Sequence, residues 1–166
     1  MPVVRYAAQA LVYGLFALGI GVLSQWPDYT RVEPDKALIR LSFAHGAARK
    51  GECRRRSREE LMKLAPNMRK PLDCPRERLP VVVELDLNGE PVFAASLAPT
   101  GLSGDGASKV YERFVVPAGR HRIDLRLRDT ARTAGFDHMR TVDVDLVPGR
   151  ALAIDFKAAN GGFIIE

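Results

Sequence analysis

Apolar positions along the chain fall into two regimes. Near the start they run without interruption: no charged side chain occurs from Tyr6 to Trp26. As a helix rising about 1.5 Å per residue, that run covers roughly the 30 Å of a bilayer's hydrocarbon core. Beyond residue 36 the apolar positions instead alternate with polar ones at a period of two, the signature of strands with one face inward. Ala37–His45 sets Ile39, Leu41 and Phe43 against Leu38, Arg40 and Ser42. Val81–Leu87 sets Val83, Leu85 and Leu87 against Glu84 and Asp86. His121–Arg128 carries Ile123, Leu125 and Leu127 inward, and Arg140–Leu146 repeats the pattern with Val142, Val144 and Leu146.

Turn chemistry punctuates these runs. Asn88-Gly89 supplies the positive φ values of a tight hairpin, leading into Val92–Leu97. Val110–Val116 meets Pro117-Ala118-Gly119, read as a further turn, and Pro148-Gly149 leads into Ala151–Phe156. Asn160-Gly161-Gly162 precedes a last short strand, Phe163–Ile165. Some seven short strands joined by hairpin turns predict an antiparallel β-sandwich over 37–166, carrying a helical insert at 46–79.

Three segments of the stretch from Pro80 to Phe156 carry a family likeness: Val83-Glu-Leu-Asp-Leu-Asn-Gly89, Val116-Pro-Ala-Gly-Arg-His-Arg-Ile-Asp-Leu125 and Val142-Asp-Val-Asp-Leu-Val-Pro-Gly149. In these the chain resembles PEGA-like and transthyretin-like surface domains. The resemblance implies a sandwich fold and a non-catalytic module, and it transfers no active site. It covers under half of the chain and leaves the insert before Pro80 without a counterpart.

The N-terminal run is read as a single membrane anchor, 6–26, behind a cytoplasmic stub, 1–5, and ahead of a stem, 27–36. Trp26 and Tyr29 are the rings expected at a membrane–water boundary. Arg5 and the α-amine precede the run, while Asp28, Arg31, Glu33, Asp35 and Lys36 sum to −1 after it, favouring an exported C-terminal domain. A cleaved signal peptide, cut before Gln25, is the alternative and exports the same domain. Gly14, Ala17 and Gly21 form a small-residue face for packing against another helix, and polar Gln9 is a candidate contact with the same partner. Arginine outnumbers lysine 19 to 6, a bias associated with GC-rich bacterial genomes, which places the expected location at a bacterial inner membrane with the domain in the periplasm.

Charge changes the picture in one place. Arg49–Arg78 holds eleven cations against five carboxylates, a local excess of +6 where the whole chain carries +5. This stretch lacks strand alternation. Ser57-Arg58-Glu59-Glu60 is a capping box opening a short helix, with Leu61, Leu64 and Met68 toward one face and Pro66 disrupting it. Cys53 and Cys74 flank the helix, and in an exported chain they predict a disulfide. A metal pair and free thiols are the competing readings, although zinc would need two further ligands that no Cys-x-x-Cys or His-x-x-His spacing supplies. Arg54, Arg55, Arg56, Arg58, Arg69 and Lys70 are the candidate partner-binding cations. They suit a solvated surface, anionic lipid head groups or an acidic protein face. Nucleic acid is disfavoured, because no aromatic residue is interleaved among the arginines.

The residues offer little for catalysis. Gly101-Leu-Ser-Gly-Asp-Gly106 is glycine-rich, but Lys109 is misplaced for a phosphate loop, and the segment reads as a hairpin connection. No Gly-x-Ser-x-Gly occurs, and Asp137-His138 lacks a nucleophile nearby in sequence. His138 with Met139 and one further ligand is the sole candidate copper site. The expectation is a non-enzymatic, cofactor-free accessory or assembly subunit of a larger membrane complex, bound to an integral membrane protein with an acidic extracytoplasmic face. Binding of an envelope glycan or lipid surface and periplasmic copper handling are the alternatives. The former predicts an exposed aromatic platform.

Overall fold

A computed structural model describes residues 2–26 and 32–166. Tyr29 and the first half of the expected stem, 27–31, lie outside the described residues. Helix α1 (Pro2–Gln25) takes up the charge-free run and is long and apolar enough to cross a membrane. None of its residues is buried. At about 100° per residue, Gly14, Ala17 and Gly21 share one arc of roughly 60°, with Gln9 about 80° from Ala17.

The rest is mainly β. Eight strands build a sandwich of two four-stranded sheets: β1 (Lys36–His45), β4 (Val81–Leu87), β5 (Glu90–Leu97), β6 (Ser108–Pro117), β7 (Gly119–Arg128), β8 (His138–Leu146), β9 (Ala151–Lys157) and β10 (Gly162–Ile165). One sheet runs β10-β9-β1-β6 and the other β5-β4-β7-β8. The insert adds a two-stranded ribbon of β2 (Arg54–Arg55) and β3 (Leu72–Asp73), with helix α2 (Arg58–Lys63) between them.

Period-two patterning dictates the core. Ala37, Ile39, Leu41 and Phe43 of β1 meet Val81, Val83 and Leu85 of β4 and Ile123, Leu125 and Leu127 of β7, all buried. These central strands hold the largest wholly buried side chains, because each is flanked in its own sheet and covered by the other. Ser108, the buried polar residue among those described, donates through Oγ to the Leu97 carbonyl at 2.8 Å and so costs no unmet hydrogen bond. Phe93 and Phe114 pack 5.9 Å apart where β5 meets β6, and on the opposite flank Arg140 donates to the Phe163 carbonyl, joining β8 to β10.

Two features depart from a simple antiparallel meander. β1 pairs antiparallel with β6 but parallel with β9, Leu38–Leu41 lying beside Ala151–Ile154. Of the connections expected to close hairpins, Asn88-Gly89 does so, with φ of 55° and 85°, and Asn160-Gly161-Gly162 does so between β9 and β10. Pro117-Ala118-Gly119 and Pro148-Gly149 instead carry the chain from one sheet to the other. The glycine-rich segment 98–107 is likewise a crossing from β5 to β6 rather than a hairpin, and a Cβ on Gly106 would run into Thr100. Pro117 is the last paired residue of β6, Pro148 lies just beyond the end of β8, and Gly119 and Gly149 take the positive φ that redirects the chain.

Candidate functional site

The insert leaves the sandwich after His45 and returns at Val81. Its neck is stitched by backbone bonds: Lys50 N–H to the Glu77 carbonyl and Leu79 N–H to that of Ala48, with Arg49 and Arg78 opposed across an antiparallel bridge. Beyond the neck, Cys53 and Cys74 form a disulfide, and β2 pairs with β3 so that Arg54 faces Asp73 and Arg55 faces Leu72. The capping box forms as its residue types require. Ser57 Oγ accepts from the Glu60 amide at 3.2 Å, and Glu60 accepts from the Ser57 amide at 2.8 Å. Leu64 caps the helix, and Pro66 then opens a single 3-10 turn, since it can start a turn but cannot continue α2. Leu61 and Leu64 are half-buried, whereas Met68 is exposed and does not join their face. No residue from 48 to 80 is fully buried.

The six candidate cations separate into distinct roles. Arg54 contacts Glu60 at 2.9 Å and Asp73 at 3.7 Å, and Arg56 contacts Asp73 at 2.9 Å. The hydrogen bond from Arg54, followed by that from the Ser57 amide, holds the Glu60 carboxyl below its ordinary value, while the same bond raises the Arg54 guanidinium. These two arginines therefore tie α2 and β3 together. Arg69 is exposed and donates to the Leu64 carbonyl at 3.0 Å. Arg55, Arg58 and Lys70 are exposed and have no carboxylate partner among the described residues.

A second group of cations is assembled across the neck, from residues that are far apart in the chain. Arg49, Arg76 and Arg78 converge with Arg56 and Lys70 around an open cleft of about 420 Å³ between the insert and the segment after β5. Arg78 is half-buried. Its Nη1 donates to the Ala47 carbonyl at 2.8 Å and its Nε to that of Asp105 at 3.0 Å. The sequence signal was the local +6 itself, but only the Arg49–Arg78 bridge shows which cations meet.

The candidates for metal and glycan chemistry are placed as follows. His138 packs edge-on to Phe156 with its Nε2 3.5 Å from Asp129 Oδ2, while His45 Nε2 lies 2.6 Å from the same oxygen. Met139, next along β8, is exposed on the other face, so His138 and Met139 do not meet at one centre. No group of three or more His, Cys, Asp or Glu side chains is arranged for a metal ion among the described residues. His121 bridges the Pro117 carbonyl and the Asn88 side chain. Tyr111 is the exposed aromatic of the sandwich, alone rather than in a platform. Gln9, Gly14, Ala17 and Gly21 lie on α1, and a Cβ at either glycine would meet open space. No protein-family model, curated protein or solved structure matches the chain.

Proposed function

We propose that this protein is a non-catalytic accessory or assembly subunit of a larger membrane complex, held by α1 in a bacterial inner membrane with its sandwich in the periplasm. On this reading Gly14, Ala17 and Gly21 seat α1 against a partner helix, and Gln9 supplies a polar contact near the membrane surface. The insert meets an acidic extracytoplasmic face of the same partner. The observation that carries the reading is that the insert beyond its neck, where Ala47 and Leu79 still touch the core, is built and stapled without contributing to that core. A sandwich gains little stability from a loop with no fully buried residue between 48 and 80, yet this one is ordered by a disulfide, a capping box and ion pairs. Arg55, Arg58 and Arg69 are its exposed docking cations, and arginine's planar fork suits carboxylates.

Full-length protein extracted in mild detergent is expected to migrate in a defined large assembly on a native gel, with its partner identified by mass spectrometry. Arg55→Ser, Arg58→Ser and Arg69→Ser together should release it, because they remove docking charge and leave the Arg54–Glu60 and Arg56–Asp73 pairs intact. Migration of both proteins alone at monomer size overturns the proposal.

A further inference from the structure

We infer that the cleft between the neck of the insert and the segment after β5 is a preformed binding site for a phosphate group carried on a small polyol. It goes beyond the docking reading, since Arg49, Arg76 and Arg78 take no part in that contact.

Three observations support it. First, Arg49 and Arg78 face each other directly across a bridge, a like-charge pairing that destabilises an isolated ribbon. The adjoining pair, Lys50 with Glu77 at 2.9 Å, is an ordinary ion pair, so the neck does not simply lack carboxylates. Second, of the five cleft cations only Arg56 has a carboxylate partner among the described residues, Asp73 at 2.9 Å. Arg78 is fixed by two backbone carbonyls and Arg49 Nη1 donates to the Pro75 carbonyl at 3.1 Å, while Lys70 and Arg76 have no carboxylate partner among the described residues. Carbonyls orient a guanidinium without cancelling its charge, which leaves it available to an anion. Third, the frame is rigid. The disulfide closes one end through Cys74, and the Arg78 amide donates to the Gly104 carbonyl at 2.8 Å at the other.

The ligand class follows from the shape and charge of the cleft. Cations approach from both strands of the neck and from Lys70, a spread that suits a tetrahedral dianion better than a planar carboxylate. Asp105, which has no cation partner among the described residues, also lines the cleft and is the candidate acceptor for a hydroxyl beside the phosphate, whereas Asp73 is already engaged by Arg56 and Arg54. About 420 Å³ exceeds the size of a phosphate ion and accommodates a small phosphorylated polyol, which is either a soluble metabolite or the head of a phosphatidic acid.

The test uses full-length protein in neutral detergent micelles and reads ³¹P line broadening. Glycerol 3-phosphate is added to the aqueous phase in one arm, and short-chain phosphatidic acid is doped into the micelles in the other. Binding in the first arm identifies a soluble source, and binding confined to the second identifies a lipid head group. In the arm that binds, Lys70→Ser with Arg76→Ser is expected to weaken affinity by about tenfold or more. Neither side chain holds the insert together, so folding is checked by the unchanged capping-box amide signals. Arg55→Ser with Arg58→Ser should leave binding unaltered. Binding in neither arm, or equal weakening by both pairs of substitutions, overturns the assignment.

Discussion

The sandwich and the insert are ordered by opposite means. In the sandwich, apolar side chains from two sheets exclude water, and Ile39, Leu85, Leu125 and Ile154 are wholly enclosed. Between 48 and 80 nothing is enclosed, and order comes from one covalent bond, one capping box, short backbone pairings and a few ion pairs. Burial is collective and independent of any thiol chemistry, whereas the insert's supports are individually removable. The comparison predicts that the sandwich holds its stability when the distal insert loosens, so a stapled projection maintained by other means points to recognition rather than stability.

The comparison breaks most visibly in the core. Leu125→Ala is expected to destabilise the whole domain by about 2–5 kcal/mol, the usual cost of such a cavity, read by urea unfolding. A loss confined to one strand would show that the two sheets do not unfold together. Next in size, Cys53→Ser with Cys74→Ser releases about 3 kcal/mol of chain-entropy restraint from the 21-residue separation. That loss should fall on the insert alone. Tryptic cleavage within 49–78 is expected to accelerate about a hundredfold while the urea midpoint of the sandwich holds. A midpoint that falls with the staple would refute the independence of the two regions.

Smaller effects sharpen the contrast. Ser57→Ala removes the cap on α2 and should cost about 1 kcal/mol locally, read as roughly fivefold faster amide exchange in α2 and no change in β4 or β7. The smallest effect concerns acid. Burial raises the Asp137 carboxyl, but hydrogen bonds from the Thr130 hydroxyl and the Asp129 and Thr130 amides, with the charge of Arg132, outweigh it and leave the group below its ordinary value of 3.8. A lowered value means that this contribution is complete above the unfolded value and fades as pH falls through the folded one. Asp137→Asn should therefore flatten the decline in melting temperature below about pH 4, and an unchanged decline would show that other carboxylates govern it.

The strands were legible because alternation reports directly which side chains face inward, and Ile123, Leu125 and Leu127 behave as their spacing requires. Layer membership was not. Pro117-Ala118-Gly119 signals a change of direction, but local turn chemistry carries no information about which sheet the next strand joins. The parallel pairing of β1 with β9 was hidden for the same reason, since it depends on partners far apart in sequence. In the insert, the capping box and the disulfide were readable from spacing, and the fate of individual cations was not. Arg54 meets Glu60 six residues on, while Arg56 finds Asp73 only after β2 and β3 pair. His45 and Asp129 are separated by 84 residues, so no local pattern announces their contact.

β1 is the first strand of the domain and occupies an interior place in its sheet, between β6 and β9. Its nearest partner begins only at Ser108, and its other neighbour is β9. During synthesis, then, β1 emerges with both edges unpaired and waits for most of the domain to follow. Such non-local pairing slows folding and prolongs exposure of Ile39, Leu41 and Phe43 to other chains. Folding of this protein is thus timed by arrival of its C-terminal third, and chains truncated before Ala151 leave β1 as a bare edge prone to aggregation.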